Sequence, residues 1–148
     1  AATAMLFAPP SSNMSVDEVL TLASIIQREA ANNDDMAMVS SVLHNRLKNG
    51  ASQDIYTLDC DSTLYYPYRT IDDVPEDERE TFLSTYNTYT LRGLPPGPIC
   101  NPGMAAIEAA LNPTDTNYYY FCHDADGNAY YAQTAAEHQQ NLVEAGLR

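Results

Sequence analysis

Basic residues are scarce in this sequence: it has a single lysine, Lys48, and 7 Lys and Arg together, against 20 Asp and Glu. The formal net charge of −13 leaves no basic surface of the kind that neutralises phosphate groups. We therefore exclude nucleic acid and anionic membranes as favoured partners. An uncharged or cationic partner fits this charge balance better.

The sequence also lacks long hydrophobic segments and an even number of cysteines. The first apolar run, Ala4–Ala8, is far shorter than the roughly 20 residues of a membrane span, and no basic residue precedes Arg28 to begin a signal peptide. Cys60, Cys100 and Cys122 are odd in number and widely spaced, which fits neither a CxxC metal site nor a fully paired disulfide framework. One disulfide with a free thiol and three buried thiols remain alternatives.

The length and composition predict one folded domain. A chain of 148 residues, 45% of them apolar, can bury about two-thirds of the surface of its unfolded state. Small residues and prolines at the start indicate a lead-in segment over 1–14. We therefore assign the domain to 15–148.

Two helices are predicted at the start of this domain. Ser15 followed by Glu18 is a capping box, and apolar residues with helical spacing come after it, so a helix should cover about 16–30. The polar run 32–35 is typical of a turn and a new N-cap. The second helix should end at Asn49-Gly50.

The remaining chain is predicted to be loop-rich and then mixed. Residues 51–100 show little periodicity and many prolines, which indicates long loops that contact a substrate. A short helix should begin at Asn101-Pro102 and end at Leu111, with Pro at its first position. Strands over 118–123 and 129–133 should form a β-hairpin around a turn at 124–127, before a last helix from Thr134 to near Gly146. The predicted class is α+β, a mostly helical single domain with a small antiparallel β-sheet and a loop-rich centre.

Glu29 is the most informative single residue. It follows Leu22, Ile25 and Ile26 at helical spacing, which places a carboxyl group on the apolar face of the first helix. Burial there disfavours the charged form and raises the pKa of the carboxyl group, as a general acid near neutral pH requires. The alternatives are a Glu29 in a frayed last turn, or one paired with a local Arg.

Several segments, taken in order, resemble the endolytic murein transglycosylases of the MltG, or YceG-like, family. The first two are LASIIQREA at 22–30 and VSSVLHNRL at 39–47. The central ones are LDCDSTLYY at 58–66, YNTY at 86–89 and GLPPGPICNPG at 93–103. The likeness then continues through AAIEAALNP at 105–113 and the tyrosine-rich hairpin.

The resemblance implies that Glu29 is the catalytic acid of a peptidoglycan lytic transglycosylase. Our hypothesis is that Glu29 then also acts as the base, and that the reaction needs no metal or cofactor. Such an enzyme cleaves the β-1,4 bond between MurNAc and GlcNAc and leaves 1,6-anhydro-MurNAc ends. The central loops supply amide, hydroxyl and aromatic groups suited to sugars, so we expect them to bind the substrate. The expected substrate-binding residues are Asp61, Thr63, Tyr86, Asn87, Thr88 and Tyr89. From the residues alone, an edge strand at 86–89 and an N-cap at Asp61 are the alternatives.

The resemblance also implies a place and partners. It implies the extracytoplasmic face of the bacterial cell membrane, with glycan strands as substrate and cell-wall synthases as candidate protein partners. The domain at 15–148 would be the catalytic one, without the membrane anchor and LysM-like region of the family, and we expect this chain itself to be soluble. The sequence departs from the family's usual pattern at Asp59 and Ser62, where Gln and Pro are usual, and in the acidic segment 72–80.

Other functions fit the sequence less well. A glycan-binding or scaffold domain without catalysis and a muramidase that uses water are the main alternatives. The segment 124–128 is similar to a calcium loop, but position 135, where a bidentate Glu belongs, is Ala. His44, His123 and His138 lie on different elements without zinc-ligand spacing, and no signature supports a thiol hydrolase at Cys60. Asn45 and Arg46 should fix the second helix, with Arg46 in an ion pair, and Gly93–Gly103 should shape a cleft wall.

Overall fold

The computed structural model describes residues 14–148, and in that range the chain forms four α-helices and one β-hairpin. The predicted α+β class is confirmed. Nearly all of the predicted lead-in, residues 1–13, lies outside the described residues.

Helix α1 spans Val16–Glu29 and is the centre of the core. The predicted capping box is present, because the Ser15 hydroxyl accepts the Glu18 N–H while the Glu18 carboxylate accepts the Ser15 N–H. Burying each large apolar side chain stabilises the fold by about 1.5–3 kcal/mol. The apolar face of α1 is fully buried at Leu22, Ile25 and Ile26.

Helix α2 spans Asn33–Asn49, and the Asn32 side chain caps it by accepting the Asp35 N–H at 3.0 Å. The helix ends where the sequence predicts, but Gly50 does not adopt the left-handed conformation of a glycine C-cap. Its φ is −56°, and a short 3₁₀ turn, Gly50–Gln53, follows directly. Glycine is needed for a different reason, since a Cβ here would lie 2.5 Å from the Ile55 carbonyl oxygen.

The centre of the chain is loop-rich, as predicted. Its regular structure is limited to short 3₁₀ turns at Gly50–Gln53, Asp61–Thr63, Ile71–Asp73 and Glu76–Glu78. Buried polar groups fix these loops to the helices. The Ser24 hydroxyl on α1, for example, accepts the Ile99 N–H at 3.0 Å.

Helix α3 spans Met104–Leu111, so the predicted start at Asn101-Pro102 was wrong. The N-cap is Gly103, which has extended backbone and donates its N–H to the Gln27 side-chain oxygen at 2.9 Å. This tertiary hydrogen bond keeps the chain extended past Pro102, which therefore does not occupy the first helical position. The helix packs against α1 and α2 and completes the core.

Strands β1, Tyr120–His123, and β2, Ala129–Ala132, form the predicted antiparallel hairpin, with shorter strands than expected. Tyr120 lies opposite Ala132, and His123 lies opposite Ala129. The Asp124 carboxylate organises the turn by accepting the backbone N–H groups of residues 126 and 128. This arrangement is a hairpin turn, as the sequence predicts.

Helix α4 spans Ala135–Glu144 and packs against the hairpin. The Thr134 hydroxyl caps it by accepting the Glu137 N–H at 3.2 Å, as predicted. No helix within residues 14–148 has both the length and the hydrophobicity needed to cross a lipid bilayer.

Candidate active site

A cleft of about 580 Å³ lies between the end of α1, the segment 58–61, strand β1 and the C-terminal residues. It is lined by charged and aromatic side chains rather than by apolar ones alone. Its polar lining includes Glu29, Arg46, Asp61, Tyr89, His123 and His138. The carboxyl group predicted from the periodicity of α1 is therefore exposed to an open cleft.

The Glu29 carboxylate is half-buried and is held by the loop opposite α1. Its Oε2 accepts a hydrogen bond from the Ser62 N–H at 2.9 Å. The neighbouring Arg28 donates from Nη1 to the Ser62 carbonyl oxygen at 3.2 Å. Arg28 and Glu29, which are consecutive residues of α1, thus bind the carbonyl oxygen and the N–H of Ser62. Within residues 14–148 Glu29 forms no ion pair, so the alternative of a local Arg partner was wrong.

The surroundings raise the pKa of the Glu29 carboxyl group. Burial is the largest cause, and the negative charge of Asp61 acts in the same direction. The hydrogen bond from the Ser62 N–H and the charge of His123 act against it. Glu29 therefore holds its proton at a higher pH than an exposed glutamate does, as the sequence predicts for this position.

Asp61 and Tyr89 lie together at one edge of the cleft. Both side chains are exposed, and the Tyr89 hydroxyl donates a hydrogen bond to an Asp61 carboxylate oxygen. Partial burial of the Tyr89 side chain, this hydrogen bond and nearby acids raise the pKa of Tyr89, so the phenol remains a donor. Asp61 is the first residue of its 3₁₀ turn and not the N-cap, which is Cys60. The pair offers a carboxylate and an aromatic face to a ligand in the cleft.

Thr63 and Thr88 lie in the interior, with no exposed surface. Their hydroxyl oxygens are 2.8 Å apart, and Thr88 Oγ1 also accepts the Cys60 N–H at 2.8 Å. Thr63 in turn donates to the Cys60 carbonyl oxygen. In this structure the two threonines join the loop that carries Ser62 to the loop that carries Tyr89.

Tyr86 and Asn87 are half-buried next to this cluster. The Tyr86 ring packs on the Tyr66 ring with centroids 4.3 Å apart. Neither Tyr86 nor Asn87 lines the cleft of Glu29. The Asn87 side chain accepts the Tyr89 N–H at 2.9 Å and so shapes the turn. Residues 86–89 form turns, and an edge strand there is therefore wrong.

Asn45 and Arg46 fix α2 to the rest of the fold, as predicted. The Asn45 amide donates to two backbone carbonyl oxygens near the hairpin, those of residues 116 and 118. Arg46 forms the expected ion pair, with Asp59 at 3.5 Å. It also donates hydrogen bonds to the backbone carbonyl oxygens of residues 57 and 119. Its guanidinium lies 5.0 Å from the Tyr120 ring centroid, inside the cleft wall. Arg46 therefore connects the centre of the chain to the hairpin.

A second polar cluster adjoins the cleft where the hairpin meets α2. Asp35 is buried, and its carboxylate lies 2.6 Å from Nε2 of His123, which lines the cleft. The Tyr131 hydroxyl and the Ala31 N–H also donate to this carboxylate. Sequence reasoning missed this cluster. The available signal was an acid in the first turn of α2, which by itself indicates only a favourable helix N-terminus.

Ser62 was also missed as a functional residue, since the sequence marked it only as a departure from the family pattern. Its side-chain oxygen is buried without a hydrogen-bond partner in the part of the chain that the structure describes. Nothing in the local sequence could show that its N–H meets Glu29, 33 residues away.

The three cysteines are free thiols in this structure, with Cys60 and Cys122 buried and Cys100 half-buried. Burial raises the pKa of the Cys60 thiol well above its ordinary range, which keeps it uncharged. Over residues 14–148 no three His, Cys, Asp or Glu side chains are grouped as metal ligands.

Comparison with known proteins identifies the YceG-like family, which the sequence resembles, along nearly the whole chain. The sequence pattern of the YceG-like family matches residues 3–144. The chain is similar to the endolytic murein transglycosylase of Bacillus subtilis strain 168, with 38% identity over 127 residues. It is also similar to the endolytic murein transglycosylase of Streptococcus pneumoniae strain D39, with 34% identity over 137 residues.

The fold has a solved relative as well. A crystal structure of a yceG-like protein from Listeria monocytogenes superposes with a TM-score of 0.70 at 37% identity, over 86% of this chain and 40% of that one. The matches to the Bacillus and Streptococcus proteins cover 86% and 90% of this chain. The chain spans only 34% and 24% of the lengths of those two relatives.

Proposed function

The chain belongs to the YceG-like family, and on this premise we propose that residues 15–148 are the catalytic domain of an endolytic peptidoglycan transglycosylase. The observation that carries the proposal is the Glu29 carboxyl group, half-buried in an open cleft with a raised pKa and a hydrogen bond from the Ser62 N–H. The names of the similar Bacillus and Streptococcus proteins support the same activity.

The first step of the proposed reaction needs an acid. Breaking the β-1,4 bond between MurNAc and GlcNAc places negative charge on the leaving C4 oxygen of GlcNAc while positive charge develops at the anomeric carbon of MurNAc. Protonated Glu29 donates its proton to that oxygen, and the bond between the anomeric carbon and the oxygen breaks. The raised pKa of Glu29 keeps the proton available near neutral pH.

The second step uses the same carboxylate as a base. The 6-hydroxyl of the same MurNAc residue attacks its anomeric carbon, and Glu29 takes the proton from that hydroxyl. A bond forms between the 6-oxygen and the anomeric carbon, which gives the 1,6-anhydro ring and returns Glu29 to its protonated form. No water is consumed, so the product carries a 1,6-anhydro ring in place of the free reducing MurNAc end that hydrolysis would leave.

The rims of the cleft supply groups that suit a sugar polymer. Asp61 and Tyr89 are exposed in the cleft and match the carboxylate and aromatic contacts that sugars use. We propose direct contact with the glycan for these two. We propose that the other four expected residues shape the substrate-binding loops without contacting the glycan. Thr63 and Thr88 are fully buried, and Tyr86 and Asn87 lie outside the cleft.

Partners and location are part of the same proposal. Peptidoglycan glycan strands are the proposed substrate, which places the domain at the extracytoplasmic face of the bacterial cell membrane. Cell-wall synthases are the proposed protein partners, since an enzyme that cuts new strands acts where they are made.

Hydrolysis is the second candidate, and one observation favours it. Asp61 brings a further carboxylate into the cleft of Glu29, and most glycosidases use two carboxylates, one of which activates water. A muramidase of this kind would leave a reducing MurNAc end. A glycan-binding domain without catalysis is the third candidate.

Mass spectrometry of digested peptidoglycan distinguishes the three. Glycan strands cut by the transglycosylase are lighter by one water than hydrolysed ones. We expect anhydro products from the wild-type domain and none from Glu29→Gln, which keeps the size of the side chain but cannot transfer a proton. Glu108→Gln makes the same chemical change on the exposed face of α3 and should retain the activity. Reducing ends would instead establish the muramidase, and binding without any product would establish the silent domain.

A further inference from the structure

The proposed mechanism leaves one ionisable pair in the cleft wall unused. His123, at the end of β1, lines the cleft together with Glu29. Its Nε2 lies 2.6 Å from an Asp35 carboxylate oxygen, close enough for a charge-assisted hydrogen bond. The pair comes from two elements, β1 and α2, that are distant in sequence.

Asp35 is held in place by more than His123. Its side chain is buried, and it accepts hydrogen bonds from the Tyr131 hydroxyl on β2 and from the Ala31 N–H just beyond the end of α1. Burial acts to raise the pKa of Asp35, but the hydrogen bonds from His123, Tyr131 and Ala31 lower it below its usual range. A nearby positive charge stabilises a buried carboxylate, and His123 forms an ion pair with Asp35 when it is protonated.

The charges around His123 all favour its protonated form. Asp35 contacts it from α2, Glu29 acts on it from α1, and Asp124 acts on it from the hairpin turn. Together they raise the pKa of the imidazole, with the Asp35 hydrogen bond as the largest cause and burial as the opposing one. Tyr131 on β2 contributes a neutral hydroxyl to Asp35 and no charge.

We propose that the imidazolium of His123, held by Asp35, is a positioning residue that stabilises the carboxylate of Glu29 after Glu29 has given up its proton. This inference rests on the proposed function, in which Glu29 must exist in both protonation states during one turnover. In this proposal His123 makes no contact with the substrate or the reacting atoms. It acts through Glu29.

The physical need for such a charge follows from the site. Proton transfer leaves a half-buried carboxylate near the negative charge of Asp61, and burial penalises that anion. The Ser62 N–H supplies one hydrogen bond, but the guanidinium of the neighbouring Arg28 is used on the Ser62 carbonyl oxygen. Arg46 also lines the cleft, but its guanidinium is paired with Asp59. Protonated His123 brings a further positive charge to the wall of the cleft that Glu29 lines.

The test compares pH profiles of anhydro-product formation. His123→Gln keeps an N–H donor for Asp35 but removes the charge, which should raise the pKa of Glu29. We expect the fall in activity on the alkaline side to move up by about half to one pH unit, with a rate loss on the order of tenfold at the optimum. His123→Lys, which restores a cation, should recover most of that loss. A His123→Gln profile that keeps the wild-type shape and rate would overturn the inference.

Asp126→Asn is the matched control, because it changes one exposed charge of the same hairpin turn and leaves Asp35 untouched. We expect its profile to superpose on that of the wild type. A shift as large as that of His123→Gln would mean that the general field of the hairpin acts on Glu29, and the specific role of His123 would be refuted.

A second measurement does not depend on activity. Coupling between two titrating groups is reciprocal, so removing the Glu29 charge must lower the pKa of His123. Nuclear magnetic resonance of the imidazole should show a lower titration midpoint in Glu29→Gln than in the wild type. An unchanged midpoint refutes the inference and leaves the proposed reaction intact. Full activity of Glu29→Gln refutes the proposed reaction, whatever the midpoint shows.

Discussion

Replacing Thr88 with valine should destabilise the fold, because the Thr88 hydroxyl is a fully buried hydrogen-bond partner. Its oxygen accepts the Cys60 N–H at 2.8 Å and lies 2.8 Å from the Thr63 hydroxyl oxygen. Valine keeps the shape of the side chain and removes the oxygen. The buried Cys60 N–H then has no partner, whereas Thr63 still donates to the Cys60 carbonyl oxygen.

The magnitude follows from these two losses. A buried N–H without a partner costs about 1–3 kcal/mol, and the lost bond between the hydroxyls contributes about 0.5–1.5 kcal/mol. The free energy of unfolding of Thr88→Val should therefore fall by about 2–4 kcal/mol. For a domain of this size that corresponds to a decrease in Tm on the order of 5–15 °C.

Urea denaturation is the direct assay, with Thr88→Ser and Thr85→Val as controls. Serine keeps the hydroxyl and should lose about 1 kcal/mol for the buried methyl group. Thr85 is exposed, so its replacement by valine should change stability by less than about 0.5 kcal/mol. Unchanged stability of Thr88→Val together with weaker glycan binding would refute the reasoning, because the hydroxyl would then contact the substrate instead of joining the loops.

Two further predictions concern stability. The pKa of His123 is raised in the fold, so its contribution to stability is complete below its ordinary pKa of 6.5 and is lost as the pH rises through the folded pKa. The pKa of Asp35 is lowered, so its contribution to stability is complete above its ordinary pKa of 3.8 and is lost as the pH falls through the folded pKa. His123→Gln should therefore differ from the wild type in urea denaturation at pH 5.5 and much less at pH 9, and an equal difference at both would contradict the ion pair. Gly50→Ala places a Cβ 2.5 Å from the Ile55 carbonyl oxygen and should cost about 1–3 kcal/mol in the same assay. Gly97→Ala, whose Cβ would meet only the end of a tyrosine at 3.6 Å, should be nearly neutral, and equal effects at the two glycines would contradict the close approach.

The helices of this protein were predictable because their signals are local. The capping box at Ser15 and the 3.6-residue spacing of apolar side chains lie within one segment, and α1 begins where they predict. Where a distant group intervened, the local signal failed. Pro102 favours the first position of a helix, yet the bond from Gln27 to the Gly103 N–H keeps the chain extended there.

In the proposed substrate-binding loops, too, a signal in the local sequence was overridden by contacts between distant residues. Residue type indicated that Thr63 and Thr88 could bind a sugar, since a hydroxyl suits a ligand. The fold gives the two hydroxyls to each other and to Cys60 instead. A threonine in a loop has no periodic pattern, so its exposure cannot be predicted from its neighbours.

By itself the sequence determined the family, the α+β class and the place of Glu29 on the apolar face of α1, because helix periodicity brings residues three, four and seven apart onto one side. The tertiary structure alone decided what surrounds that carboxyl group. Ser62 is 33 residues from Glu29, and His123 is 88 residues from Asp35. Contacts of such separation depend on how loops and the hairpin pack on the helices, and those loops carry no repeating pattern from which the packing could be predicted.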